Sequence, residues 1–131
     1  MPSILLIEDD DLFRYSLATA LAEQGYTVMQ ARDGEEGARI FHIEPADLVL
    51  TDIVMPNKEG VALIEELRRD YPHLAIIAMS GGIAHDAPLY LKLAGALGAN
   101  RTLQKPFGLP ALLAAIEEVL AASGKGKPAA P

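Results

Sequence analysis

The chain has 131 residues, half of them apolar, 22% charged and 5% aromatic, the size and composition of one folded domain rather than a disordered or fibrous chain. Eighteen acidic against 11 basic side chains give a formal charge of −7, which argues against a nucleic-acid binder or a protein docked on an anionic membrane. The absence of cysteine excludes disulfides, thiolate metal sites and cysteine nucleophiles.

In chain order, residues 4–7 (Ile-Leu-Leu-Ile) form an apolar run too short for a helix and read as a first strand. No basic segment precedes the run and three acidic residues follow it, so it is not a secretory signal. No stretch approaches the ~20 apolar residues of a membrane span. The expectation is a soluble, cytoplasmic protein. Leu12, Phe13, Ser16, Leu17, Ala20 and Leu21 recur at helical spacing, Asp10 or Asp11 caps that helix, and Gly25 closes it. Residues 26–31 read as a second strand. Asp33 caps a second helix carrying Ala38, Ile40 and Phe41, which stops before Pro45. Leu48, Val49 and Leu50 centre a third strand ending at Thr51 and Asp52. A loop follows over 55–60, then a third helix marked by Val61, Ile64 and Leu67, with Glu65, Glu66, Arg68 and Arg69 as its exposed face.

Residues 74–79 read as a fourth strand, broken by Ser80-Gly81-Gly82. Tyr90, Leu93, Ala94 and Leu97 mark a fourth helix, residues 101–104 a short fifth strand, and Leu109, Leu112, Leu113, Ile116, Val119 and Leu120 a fifth helix. Five strands alternating with five helices predict an α/β fold: a parallel sheet with helices on both faces and right-handed crossovers. Residues 1–122 are one domain and residues 123–131, rich in Gly, Lys, Pro and Ala, a flexible tail.

An open parallel sheet binds ligands beyond the carboxyl ends of its strands. Glu8, Asp9 and Asp10 follow the first strand, Asp52 the third, Ser80 the fourth and Lys105 the fifth. Clustered carboxylates repel unless a cation lies among them, and an all-oxygen set suits Mg²⁺ with its retained waters. Glu8, Asp9 and Asp52 are therefore candidate Mg²⁺ ligands, with Mn²⁺ a possible substitute. Asp52 is the candidate nucleophile toward a phosphoryl group, with the Lys105 ammonium and the Ser80 hydroxyl as its partners there. His42, His73 and His85 share no metal-binding spacing and read as surface residues.

These motifs resemble the receiver domain of bacterial two-component response regulators, in its stand-alone, single-domain form. The resemblance runs from about residue 4 to about residue 122. It rests on Ile4-Leu5-Leu6-Ile7-Glu8-Asp9-Asp10, on residues 52–60 (Asp-Ile-Val-Met-Pro-Asn-Lys-Glu-Gly), on Met79-Ser80 and on Lys105-Pro106-Phe107. It implies a flavodoxin-like, doubly wound (βα)5 fold with a five-stranded sheet of order 2-1-3-4-5. It further implies that Asp52 accepts the phosphoryl group, that Glu8 and Asp9 bind Mg²⁺ together with Asp52 and the backbone carbonyl of Val54, that Ser80 is the switch hydroxyl, that Lys105 pairs with the phosphoryl group, and that the Lys105–Pro106 bond is cis. The implied partners are a histidine kinase or histidine phosphotransfer protein and an unknown downstream protein, with the chain a monomer or a weak dimer through its fourth helix, fifth strand and fifth helix. It would be a phospho-accepting signalling domain rather than an enzyme with an external substrate, self-catalysing only its phosphotransfer and autodephosphorylation. The starting Met1 and the tail read as a complete chain.

Three departures from the family pattern stand out. Thr102 occupies the place of the usual aromatic switch residue. Gly81-Gly82 follows Ser80 and is expected to leave the pocket open. The stretch with Ile83, His85, Asp86 and Pro88 is longer than usual and reads as a partner-specific loop. Two alternatives remain at this point. A phosphatase or phosphotransferase of the haloacid dehalogenase type also carries an aspartyl nucleophile after a strand, but it needs an acid two residues on, where Val54 cannot move a proton. A non-phosphorylated pseudo-receiver is the other, against which the intact set of polar residues speaks.

Overall fold

The computed structural model describes residues 2–53, 60–81 and 87–124. Val54, the loop at 82–86 and the tail from 125 onward, on which expectations were placed above, lie outside the described residues. The elements are β1 (Ser3–Ile7), α1 (Asp11–Glu23), β2 (Thr27–Ala31), α2 (Gly34–Ile43), β3 (Leu48–Asp52), α3 (Gly60–Asp70), β4 (Ala75–Ser80), α4 (Ala87–Leu97), β5 (Arg101–Gln104) and α5 (Leu109–Ala122). All strand pairs are parallel and the sheet order is β2-β1-β3-β4-β5, the doubly wound order expected.

Strand pleating explains the unbroken apolar runs. Ile4 and Leu6 point to one face, where they meet Leu50, Ile77 and Met79 of the sheet and Leu17, Leu21, Leu112, Ile116 and Leu120 of α1 and α5. Leu5 and Ile7 point to the other, against Val49, Ile76 and Ala78 and the buried residues Phe41, Leu63, Ile64, Leu67 and Ala94 of α2, α3 and α4. Every residue of β3 and β4 is buried, as strands covered on both faces must be. The edge strands β2 and β5 are more exposed.

Local signals hold where their physics is strong. Asp10 caps α1 by accepting from the Phe13 N–H at 3.0 Å, and Asp33 caps α2 by accepting from the Glu36 N–H at 2.8 Å. Gly25 takes the positive φ of 99° that ends α1. The Lys105–Pro106 bond is cis, as the resemblance implied.

Three expectations are corrected. Leu12 is 77% exposed rather than part of the core stripe; the buried face of α1 is Leu17, Ala18 and Leu21. Leu93 is 43% exposed on α4. Arg68 is not on an exposed face. It is half-buried, with Nη2 and Nε donating to Gly98 O at 2.7 and 3.1 Å, Nη1 to Pro72 O at 2.8 Å, and Nη2 to Asn100 Oδ1 at 3.0 Å.

Candidate functional site

The strand register builds the site. Ile7 pairs with Thr51, Asp52 with Met79, and Ser80 with Gln104, so the residues at or just after these strand ends share one edge of the sheet. Glu8 leaves β1 with its N–H donating to Ala31 O at 3.0 Å, and it is buried. Its Oε2 accepts from the Asp10 N–H at 3.0 Å. Asp52 ends β3 and is also buried. Asp9 is exposed at the rim. One carboxylate oxygen from each of Glu8, Asp9 and Asp52 lies within 4.8 Å of the other two.

Lys105 reaches both buried acids. Its Nζ donates to Glu8 Oε1 at 2.5 Å and to Asp52 Oδ2 at 3.2 Å. Its backbone is pinned to the neighbouring strand, with the Lys105 N–H donating to Ser80 O at 2.8 Å. Ser80 is fully buried, and among the described residues its Oγ has no hydrogen-bond partner. An unpaired buried hydroxyl costs about 1–3 kcal/mol, so its place here points to a group that arrives later.

Two buried carboxylates and one partly exposed ammonium leave net negative charge at the base of the site. Burial, chiefly, pushes the Glu8 carboxyl up to about 7; the Asp52 charge adds to the rise, while the Lys105 and Asp10 hydrogen bonds resist it. Burial works against the Lys105 charge, but the hydrogen bond it donates to Glu8 and the fields of Asp52 and Glu8 outweigh it and hold the ammonium above its usual range. A carboxyl this reluctant to ionise, beside two more carboxylates, fits a divalent cation with oxygen ligands. The donor set and the orphaned Ser80 Oγ thus both suit Mg²⁺ with a phosphoryl group.

The structure therefore brings together Glu8, Asp9, Asp52, Ser80 and Lys105. Thr102 lies exposed on β5, paired with Ala78, away from that cluster. Sequence reading missed three supports. Gly81 does more than open the pocket: a methyl group there would overlap Lys105 Cβ, so the glycine admits the Lys105 backbone. Gly60 is likewise required, since a Cβ would overlap Asp52 O, and its N–H donates to Ile53 O at 3.2 Å, seating α3 against the end of β3. Arg14 donates from Nη1 to Glu8 O at 2.9 Å and pairs with Asp11 at 2.8 Å, fixing the acidic turn. Glycines at strand-end turns were the available signal for the first two; nothing in the sequence marked Arg14.

Comparison with known proteins agrees with this geometry. The sequence profile described as "Response regulator receiver domain" matches residues 4–117. The chain is 35% identical over 93% of its length to the "Probable transcriptional regulator ycf27" of Guillardia theta, and covers 46% of that protein. It is 32% identical to the "Probable chemotaxis protein CheY" of Rhizobium etli, over 91% of this chain and 92% of that one. The chain thus spans about half the length of the transcriptional regulators it matches and nearly all of the chemotaxis protein. Among solved structures, the response regulator protein TrrA from Thermotoga maritima, in complex with Mg²⁺-BeF, superposes with a TM-score of 0.79 at 28% identity, covering 92% of this chain and 100% of that one. This family takes the place of the dehalogenase-type alternative. No helix among the described residues is long and apolar enough to cross a membrane. With its five-stranded sheet of order 2-1-3-4-5 and its acidic strand-end pocket, the chain belongs to the receiver domain family of two-component response regulators.

Proposed function

We propose that Asp52 accepts a phosphoryl group from the phosphohistidine of a histidine kinase or phosphotransfer protein, and that residues 1–122 are the receiver unit that signals the result by protein contact in the cytoplasm. Accepting a phosphoryl group is the family's function. One observation carries its assignment to these residues: Asp52, Lys105 and an unpartnered buried Ser80 Oγ meet at one sheet edge with the acidic pair Glu8 and Asp9.

An Asp52 carboxylate oxygen attacks phosphorus, a P–O bond forms as the P–N bond to the donor imidazole breaks, and the imidazole leaves with the bonding pair. Lys105 shifts its hydrogen bonds from the carboxylates to phosphoryl oxygens and balances their charge. Ser80 donates its hydroxyl to the same group, which gives that oxygen its missing partner. Mg²⁺ held by Glu8, Asp9 and Asp52, with the Val54 carbonyl as the family's further ligand, would supply positive charge facing the phosphoryl oxygens. Water hydrolyses the acyl phosphate later and resets the domain. The phosphoryl group biases a pre-existing equilibrium between two conformations.

The test is incubation with acetyl phosphate, with and without Mg²⁺, read by intact mass. A Mg²⁺-dependent gain of one phosphoryl group, absent in Asp52→Asn, is expected. No adduct and no consumption of acetyl phosphate would overturn the reading in favour of a pseudo-receiver.

A further inference from the structure

Lys105 is held from three sides, and only two of them belong to the acidic pocket. Glu8 and Asp52 accept its hydrogen bonds. The third side is an aromatic ring: Lys105 Nζ lies 4.5 Å from the centroid of Phe13. This is well inside the distance at which a ring face attracts an ammonium. Phe13 is itself braced, its ring meeting Phe107 edge-on at 6.2 Å between centroids and an interplanar angle of 79°.

The braced pair fixes what the backbone cannot. The Lys105 main chain is set by its bond to Ser80 O and by the close approach to Gly81. The four-carbon stem beyond it carries the conformational freedom typical of lysine. The Lys105 side chain is 21% exposed, so water is available as a competing partner for the ammonium. The Phe13 ring covers one approach and adds a directional attraction of its own. Phe13 also comes from the first turns of α1, the helix whose cap, Asp10, donates its N–H to Glu8. One short segment thus aligns an acid of the pocket and the lysine that pairs with it.

We propose that Phe13 is a positioning residue for phosphoryl transfer, holding the Lys105 ammonium in the pocket through its ring face. This rests on the functional reading above, in which Lys105 pairs with the phosphoryl group. Phe13 does not touch the reacting atoms. It narrows the volume that the ammonium samples, so more of the population has Lys105 in place when a donor arrives.

The test compares Phe13→Leu, Phe13→Tyr and a protein carrying pentafluorophenylalanine at position 13, which keeps the ring's outline while reversing the charge of its face. At saturating Mg²⁺, the leucine and fluorinated variants are expected to take up phosphoryl from acetyl phosphate about fivefold more slowly than wild type, the tyrosine variant within about twofold. In a Lys105→Met background the same changes at position 13 are expected to add no further slowing. The ¹H resonances of the Lys105 ε-methylene should lie upfield of the other lysines in wild type and Phe13→Tyr, and return to the common position in Phe13→Leu. Should the leucine variant fold poorly, the fluorinated protein decides the kinetics.

Slowing that persists without Lys105, or rates equal to wild type in a protein that does phosphorylate, would overturn the proposal. An unshifted Lys105 methylene in wild type would overturn it at the level of structure. A wild-type chain that takes no phosphoryl group at all overturns the functional reading, and the role in transfer with it, while the NMR comparison still reports whether the ring holds the ammonium.

Discussion

Lys105 Nζ donates to Glu8 Oε1 at 2.5 Å across 97 residues of sequence, tying the end of β5 to the end of β1 over the Asp52 carboxylate. β1 and β5 are not neighbours in the sheet; β3 and β4 lie between them. This one bond therefore spans the pocket and compensates part of the charge that three acids bring to it.

Removing the ammonium should be costly to the metal-free protein. Lys105→Met leaves two buried carboxylates without their shared cation, and a destabilisation of about 2 kcal/mol is expected in urea unfolding without Mg²⁺. Millimolar Mg²⁺ should recover most of it, because the divalent ion supplies the same compensation to Glu8 and Asp52. Equal destabilisation with and without Mg²⁺ would show that Lys105 stabilises by packing rather than by charge.

Glu8 sets a pH dependence whose sign is fixed by its environment. Its folded pKa, about 7, lies above its unfolded value near 4.5, so the folded state holds the proton more tightly. The stability this gives is fully present below about pH 4.5 and is lost as pH rises through about 7, by about 3 kcal/mol in the metal-free protein. Urea midpoints at pH 5 and pH 8 in chelator measure it, and Glu8→Gln should flatten that part of the profile. Mg²⁺ reverses the preference: its affinity should rise over the same window, with proton release visible as a buffer-dependent heat in titration calorimetry.

How much of this could be read from the chain alone follows from where each signal resides. The five acidic, hydroxyl and ammonium positions were legible because strand ends in a parallel sheet are fixed by short apolar runs, and those runs sit on either side of unmistakable turns. The capping role of Asp33 was legible because it depends on three residues of local chain. Arg68 was not, because its partners Gly98 and Asn100 lie about thirty residues away and no local pattern distinguishes it from its neighbour Arg69. Phe13 was legible only in part: helical spacing assigns it to the apolar stripe, and it does pack against the core there, but no local pattern shows that its ring also meets Lys105, more than ninety residues away.

Ser80→Ala separates stability from function. The Ser80 hydroxyl is buried without a partner among the described residues, so deleting it should leave stability unchanged or raise it by up to about 1 kcal/mol. Phosphoryl uptake from acetyl phosphate should persist, with an altered lifetime of the adduct, because the alanine offers no hydrogen bond to the phosphoryl oxygen. A marked loss of stability in Ser80→Ala would mean that the hydroxyl is paired in the resting state.

Arg68→Ala should do the opposite. The guanidinium joins α3, the turn after α4 and the approach to β5: it donates to Gly98 O, Pro72 O and Asn100 Oδ1, and that same Asn100 oxygen accepts from the Ile76 N–H at 2.8 Å at the start of β4. Burial lowers its pKa from the usual arginine value: the guanidinium is partly withdrawn from water, and these acceptors stand in for its hydration. Losing them is expected to destabilise the fold by about 2–3 kcal/mol and to speed hydrogen exchange at the Gly98, Ala99 and Asn100 amides. Arg68→Lys should recover less than half of the loss, since a single ammonium cannot span acceptors arranged for a planar fork. The carboxylates and Lys105 sit at the opposite end of the strands, so Mg²⁺ affinity and phosphoryl uptake from acetyl phosphate should remain near wild type. Loss of both in a folded Arg68→Ala protein would show that the two ends of the sheet are coupled through β4.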